Sequence, residues 1–311
     1  MGNFLSGGAS VSFDPDDNIP SLKGKVIFVT GGTSGLGKES ILQLAKHNPS
    51  AICLGARNLN KARETIQEIQ KQVPNATIQP VEIDLASFSS IAAGAEAFKK
   101  EHSRLDILML NGGVMMPPAA TTKEGYEIQF GTNHMGHALL TKLLLPTLLS
   151  TAEKPDSDVR VVVLSSGAHN VAPSGGIVWD TLKTKGESLS AGAKYGQSKL
   201  ANILFAKELA KRYPQLTVSS IHPGIVNTNL TSPASNNSLF WKITMKVVYS
   251  VIGLDVAKGT LNQLWASVAE TVKSGEYYQP VGIAGKGSKL TENATLAEDL
   301  WKWTEEEIKN Y

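Results

Sequence analysis

Short runs of continuously apolar, often β-branched residues recur along this chain, and most are followed by a stretch with helical spacing. The runs are KVIFVT (25–30), AICLGA (51–56), TIQPVEI (77–83), LDILML (105–110), VRVVVLS (159–165) and LTVSSIH (216–222). Between them lie amphipathic segments at about 38–47, at 58–73 with Ala62, Ile66, Ile69 and Val73 in phase, at 87–102, and from about 123 to 149. A further helix is expected to open at Tyr195. A strand apolar on both faces has to be covered on both faces, and helical crossovers force neighbouring strands to run parallel. The alternation therefore predicts an α/β fold with a single doubly wound parallel sheet and helices on both sides. Residues 1–20, rich in Gly, Ser, Asp and Pro, read as a flexible leader. No composition break or repeat divides residues 21–311, which are expected to form one domain.

Charge excludes some partners. Lys plus Arg is 30 and Asp plus Glu is 28, a net charge of +2, which gives no basic footprint for nucleic acid or a membrane surface. The lone cysteine, Cys53, lies inside an apolar run, so no internal disulfide and no multi-cysteine metal site is available. No stretch approaches the roughly 18 apolar residues of a membrane span, and the N-terminus lacks a secretory pattern. The sequons at Asn75, Asn229 and Asn293 then carry no weight, and a cytoplasmic location is expected. MGNFLS fits the permissive pattern for acylation of Gly2, which would favour membrane contact through an apolar patch such as the stretch at 240–252. His134, His137, His169 and His222 lack metal-ligand spacing, so no metal is expected and structural roles are assigned to them.

Directly after the first apolar run comes TGGTSGLG, which comprises Thr30, Gly31, Gly32, Thr33, Ser34, Gly35, Leu36 and Gly37. A Gly-rich turn from strand to helix lets backbone amides approach a pyrophosphate at a helix N-terminus. At the end of the second run the chain reads Ala56-Arg57, with no carboxylate for a ribose 2′-hydroxyl. An Arg there suits a 2′-phosphate, so NADP(H) is the expected cofactor. Later, YGQSKLAN places Tyr195 and Lys199 one helical turn apart on one face. A cation beside a phenol favours the phenolate and brings a poor acid-base group toward the working range.

Together, TGGTSGLG, Tyr195-xxx-Lys199 and the alternation between them resemble the short-chain dehydrogenase/reductase family, over about residues 23–278. The resemblance implies a Rossmann-type sheet of about seven strands. Asp84 and Leu85 look like the family's adenine-contacting pair. Asn111, Gly112 and Gly113 look like the end of its NNAG motif, with Leu110 in place of the first Asn and Gly112 in place of Ala. The motif braces the central strand, so this departure is read as a packing variation. Asn133 in TNHMGH and Ser166 in VVVLSSGAH look like the asparagine and serine of a catalytic tetrad completed by Tyr195 and Lys199. HPGIVNT, with Pro223, Gly224, Val226 and Thr228, looks like the loop beside the nicotinamide. SSGAH, TNHMGH and YGQSKLAN look most like the retinol-dehydrogenase-like branch and fungal reductases. By this resemblance Tyr195 is the general acid/base, Ser166 bonds the substrate oxygen, Asn133 holds a water that links Lys199 to solvent, and Lys199 also holds the nicotinamide ribose.

Residues 228–253 carry an apolar stretch (Phe240, Trp241, Ile243, Met245, Val247, Val248, Tyr249, Ile252) that reads either as a lid over an apolar pocket or as an ordinary core helix. The implied partner is a small, fairly apolar ketone, aldehyde, quinone or secondary alcohol. The resemblance also implies a homodimer or homotetramer through the helices of Asn133 and Tyr195. Two other functions stay open: a catalytically silent NADP-binding sensor or scaffold, and a non-redox isomerase or dehydratase using the same Tyr-Lys pair. Trp301 and Trp303 are expected to pack the C-terminal tail onto the domain.

Overall fold

The computed structural model describes residues 10–224, 226 and 255–311. All six apolar runs form strands, and a seventh, of two residues, joins them: β1 Val26–Thr30, β2 Ala51–Ala56, β3 Ile78–Glu82, β4 Ile107–Leu110, β5 Arg160–Leu164, β6 Thr217–Ile221 and β7 Tyr277–Tyr278. They make one sheet in the order β3-β2-β1-β4-β5-β6-β7, parallel throughout. The helices are α1 Pro15–Asn18, α2 Gly35–Ala45, α3 Leu59–Gln70, α4 Phe88–Glu101, α5 Ile128–Phe130, α6 Gly136–Ala152, α7 Ala191–Arg212, α8 Val256–Val268 and α9 Ala294–Glu307.

Side chains alternate along each strand, and both sides of the sheet are apolar. Val26, Phe28, Leu108, Leu110, Val161 and Val163 pack under α4, α6, α7 and α9. Ile27, Val29, Ile107, Met109, Val162 and Leu164 pack under α2, α3 and α8. Each of these twelve is buried, as continuous apolar runs require. Cys53 sits in the first layer, where burial pushes its thiol up to about 12 and leaves it inert.

Two expected boundaries move. The segment from 123 is not one helix: Gly125 takes φ +88°, and helix starts only after Glu127. There the Glu127 carboxylate accepts hydrogen bonds from the amides of Gln129 and Phe130, so a side-chain cap and a left-handed glycine override the apolar spacing. A π-helical turn, Gly131–Met135, then joins α5 to α6. Secondly, α7 does not open at Tyr195. Ser190 caps it by accepting from the Ala193 amide, which places Tyr195 in the second turn.

The C-terminal helix α9 packs on α7. Trp301 stacks on Phe205, Trp303 meets Phe130 and Tyr126 edge-on, and His134 bonds Thr304. Both tryptophans thus pin the tail to the domain, as their positions suggested. Part of the α7 surface is therefore covered within the same chain. Among the described residues no helix is long and apolar enough to cross a membrane. The stretch read as a lid, Thr228 and Gly2 lie outside the described residues.

Candidate active site

Strand order reverses between β1 and β4, and in open α/β sheets that switch point opens a crevice at the carboxyl ends of the strands. Every described candidate residue belongs to a segment that leaves those ends or packs against them.

On one wall lies the turn from Thr30 to Gly37. Gly31 and Gly35 take φ +68° and +52°, the left-handed region that suits glycine. A side chain at Gly31 would come within 2.7 Å of Gly112 Cα, and one at Gly37 would overlap the Gly31 carbonyl oxygen. Only glycine lets the turn close this tightly. Ser34 caps α2 without spending its side chain on the helix, so no residue of the cap itself occupies the first-turn amides. Thr33 and Ser34 are half-buried and Leu36 is buried. Thr30 Oγ1 accepts from the Gly112 amide at 2.9 Å, and Asn111 Nδ2 donates to Thr30 O at 2.8 Å. The Asn-Gly-Gly segment therefore braces β4 against β1 despite Leu110 and Gly112. Leu85 presses on Gly112, within 2.8 Å of where a Cβ would stand, and Asp84 beside it accepts from the Ala86 amide. Arg57, exposed, follows the end of β2 and makes no hydrogen bond or ion pair with the described residues. Beyond β6, Gly224 takes φ +89°, and Val226 is buried against Gly259 and Leu36.

The other wall is built from side chains. Tyr195 and Lys199 are both buried, and the ammonium lies 5.6 Å from the phenol ring centroid. Lys199 Nζ donates to Leu164 O at 3.1 Å; loss of solvation lowers its pKa to about 8. Asn202 donates to the same carbonyl, and Ser165 Oγ donates to Lys199 O at 2.7 Å, so α7 is fixed to the end of β5 on both sides of the ammonium. Asn133, in the π-helical turn, accepts from the Val114 amide and donates to Val114 O and Ser198 Oγ. Ser198 Oγ in turn donates to Tyr195 O. A Cβ at Gly113 would stand 2.9 Å from Asn133 Oδ1 and 3.8 Å from Lys199 Nζ, so these three meet around one small space.

Ser166 leaves β5 in extended geometry and caps a 3₁₀ turn, Gly167–Val171. Its Oγ accepts from the Ala168 amide at 3.1 Å, which leaves its own proton to be donated. A side chain at Gly196 would strike Ala168 O at 2.7 Å and Ala172 N at 2.8 Å. The residue after Tyr195 is thus glycine because the serine's turn lies against α7 there.

Three supports escape a reading of the sequence. His137 is buried, and burial drops its pKa to about 3, so it is neutral. Its Nδ1 faces Asn133 O, which can only accept, so the proton sits on Nδ1 and Nε2 accepts from Thr30 Oγ1 at 2.9 Å. Thr30 and His137 thereby join the glycine turn to Asn133 across the crevice, and Ser198 joins Asn133 to Tyr195. In the sequence a lone His or Ser on an apolar helix carries no such signal. Among the described residues no group of three or more His, Cys, Asp or Glu could hold a metal ion.

Residues 25–238 match the family model for short chain dehydrogenase. A short-chain dehydrogenase/reductase of Armillaria gallica is 36% identical over 303 residues, 95% of this chain and 94% of its own length. Retinol dehydrogenase 12 of Mus musculus is 36% identical over 284 residues, 90% of this chain and 85% of its own. A crystal structure of an uncharacterized protein from Mycobacterium paratuberculosis superposes with a TM-score of 0.74 at 27% identity, covering 96% of this chain and 97% of that one. The chain belongs to the short-chain dehydrogenase/reductase family, whose members are oxidoreductases using nicotinamide cofactors on small molecules. Its relatives include fungal reductases and retinol dehydrogenases, the branch that its motifs resembled.

Proposed function

We propose that this chain is an NADP(H)-dependent oxidoreductase that interconverts a fairly apolar ketone, aldehyde or quinone with its alcohol, with Tyr195 as general acid/base. The observation that carries the reading is the meeting of Asn133, Tyr195, Lys199 and the Ser166 turn at the strand ends, facing a glycine turn that only a glycine backbone can close. The left-handed glycines, the uncommitted cap of α2 and the half-exposed Thr33-Ser34 pair fit a pyrophosphate. Arg57, exposed and without an ion pair among the described residues where NAD sites carry an acid, supports the 2′-phosphate form. Asp84 and Leu85 would flank the adenine, Asn111 and Gly112 would line the floor, and Pro223, Gly224, Val226 and Thr228 would border the nicotinamide.

The dinucleotide, when bound, supplies or accepts a hydride. In reduction Tyr195 gives its phenolic proton to the carbonyl oxygen while that oxygen gains charge, and Ser166 donates a hydrogen bond to the same atom. Lys199, one turn along α7, stabilises the phenolate left behind. A water between Asn133 Oδ1 and Lys199 Nζ would return the proton, since one lone pair of Oδ1 and two N–H of Lys199 remain unspent among the described residues. Residues 228–253 would cover an apolar substrate. The test is consumption of NADPH, with NADH in parallel, against aryl ketones, quinones, long-chain aldehydes and steroid ketones, with Tyr195→Phe as blank. Tyr195-dependent oxidation that prefers NADPH supports the reading. Binding of NADPH without turnover of any carbonyl replaces it with a sensor, and turnover without net cofactor loss replaces it with non-redox chemistry.

A further inference from the structure

His169 stands three residues after Ser166 and is completely buried. Its Nδ1 lies 2.8 Å from Ser166 O, and its own backbone amide reaches the same carbonyl at 3.0 Å. On the far side of the ring, Nε2 lies 3.1 Å from the backbone nitrogen of Ser288, a segment that follows β7. The chemistry of these neighbours fixes the tautomer. An amide N–H only donates and a carbonyl only accepts, so Nε2 carries the lone pair and Nδ1 the proton. The ring is held in place by the edge of Tyr277, with centroids 5.0 Å apart, and the Tyr277 hydroxyl donates to Gln279 Oε1.

We propose that His169 is a positioning residue for Ser166: one neutral imidazole ties the carbonyl of Ser166 to the Ser288 amide and so sets where the serine hydroxyl points. The inference rests on the reading of Ser166 as the donor to the substrate oxygen. Both lone pairs of Ser166 O go to His169, once through the backbone and once through the ring. The Ala168 amide holds Ser166 Oγ from behind. The 3₁₀ turn that carries these groups lies between α7, which it touches at Gly196, and the segment 279–288, which it reaches through the ring. Without the ring, the turn loses its hydrogen-bonded tie to Ser288. The serine can then rotate away from a substrate oxygen while the fold and the dinucleotide turn are untouched, and a small misplacement at the reacting centre costs rate far more than binding.

Two isosteres separate the halves of the tether. In His169→Asn the amide nitrogen replaces Nδ1, so donation to Ser166 O is kept and the Ser288 contact is lost. In His169→Gln the side-chain oxygen replaces Nε2, so the Ser288 contact is kept and donation to Ser166 O is lost. Ser166→Ala is measured beside them, each variant with its melting curve, its NADPH affinity and its kcat and KM on the best carbonyl of the panel. The expected result is that Ser166→Ala is nearly inactive and that His169→Gln and His169→Asn, each of which severs the tether at one end, both lose kcat by about tenfold or more. NADPH affinity should be unchanged in all three. A fully active His169→Asn or His169→Gln, or a loss of kcat matched by a loss of NADPH affinity, overturns the positioning role while leaving Ser166 in place. A fully active Ser166→Ala instead removes the reading beneath it. Imidazole nitrogen NMR of the unaltered full chain, which depends on no variant folding, should show His169 neutral with its proton on Nδ1; a proton on Nε2 overturns the tether.

Discussion

The two walls of the crevice are built by opposite means. The turn from Thr30 to Gly37 shapes its surface with backbone, and its glycines serve by lacking side chains. Across from it, Asn133, Ser165, Ser198, Lys199 and Asn202 fix the reactive groups through buried side-chain hydrogen bonds. A backbone wall suits a ligand whose charge is spread over a pyrophosphate. A side-chain wall suits a single atom that must receive a proton, because a donor is placed there to within tenths of an ångström. Damage should differ accordingly: changes on the first wall should read out in cofactor binding, and changes on the second in turnover.

The largest effect is expected from Tyr195→Phe, which removes the proposed proton donor and keeps the ring. Turnover in steady-state assays should fall roughly a hundredfold to ten-thousandfold, with dinucleotide affinity nearly unchanged. Lys199→Met should also lower turnover strongly, though less than Tyr195→Phe, yet raise the melting temperature of the ligand-free protein at neutral pH. The reason is linkage. Desolvation holds Lys199 at about 8 in the fold against 10.5 in the unfolded chain. Between those values the unfolded chain binds more protons, so stability should rise with pH across that window and level off above it. The rise should amount to roughly 1–3 kcal/mol at most in denaturant titrations and be absent in Lys199→Met.

Gly37→Ala sharpens the comparison from the other side. A methyl group there overlaps the carbonyl of Gly31, so NADPH affinity by fluorescence titration should drop at least tenfold, with stability down by roughly 1–3 kcal/mol. Gly192→Ala, in the first turn of α7 where a Cβ meets nothing within 4 Å, should leave affinity unchanged and stabilise the chain by up to about 1 kcal/mol. Ser198→Ala cuts the link between Asn133 and the Tyr195 backbone, and kcat should fall about tenfold with KM for NADPH unchanged. The smallest loss is expected at exposed Arg57. Arg57→Ala should raise KM for NADPH about tenfold or less and leave KM for NADH unaltered.

The same division explains what could be read from the sequence. The glycine wall is contiguous, so Gly31, Gly35 and Gly37 announce themselves, and the six apolar runs place the strand ends beside them. Tyr195 and Lys199 were legible because one helical turn relates them. β7 was not, since Tyr277–Tyr278 is too short to show alternation and pairs with Ser220–Ile221 only after the chain returns from α8. Helix α7 starts earlier than its motif because Ser190 caps a first turn of small residues that reads as loop. Nor could Thr30 and His137 be linked, 107 residues apart, before the fold brings the strand end to the π-helical turn. Their individual identities are ordinary, and only their juxtaposition carries chemistry.

On the proposed function, the second wall moves a proton while the dinucleotide held by the first moves a hydride. NADPH deuterated at the transferring position of C4 would be incubated with the wild-type chain and with Tyr195→Phe, in the presence of each ketone and aldehyde of the panel. Deuterium is expected on the carbinol carbon of the product with the wild-type chain and essentially none with Tyr195→Phe, at equal occupancy by NADPH. Deuterium that stays on the nicotinamide of a fully bound wild-type enzyme, or equal transfer by both proteins, would contradict it.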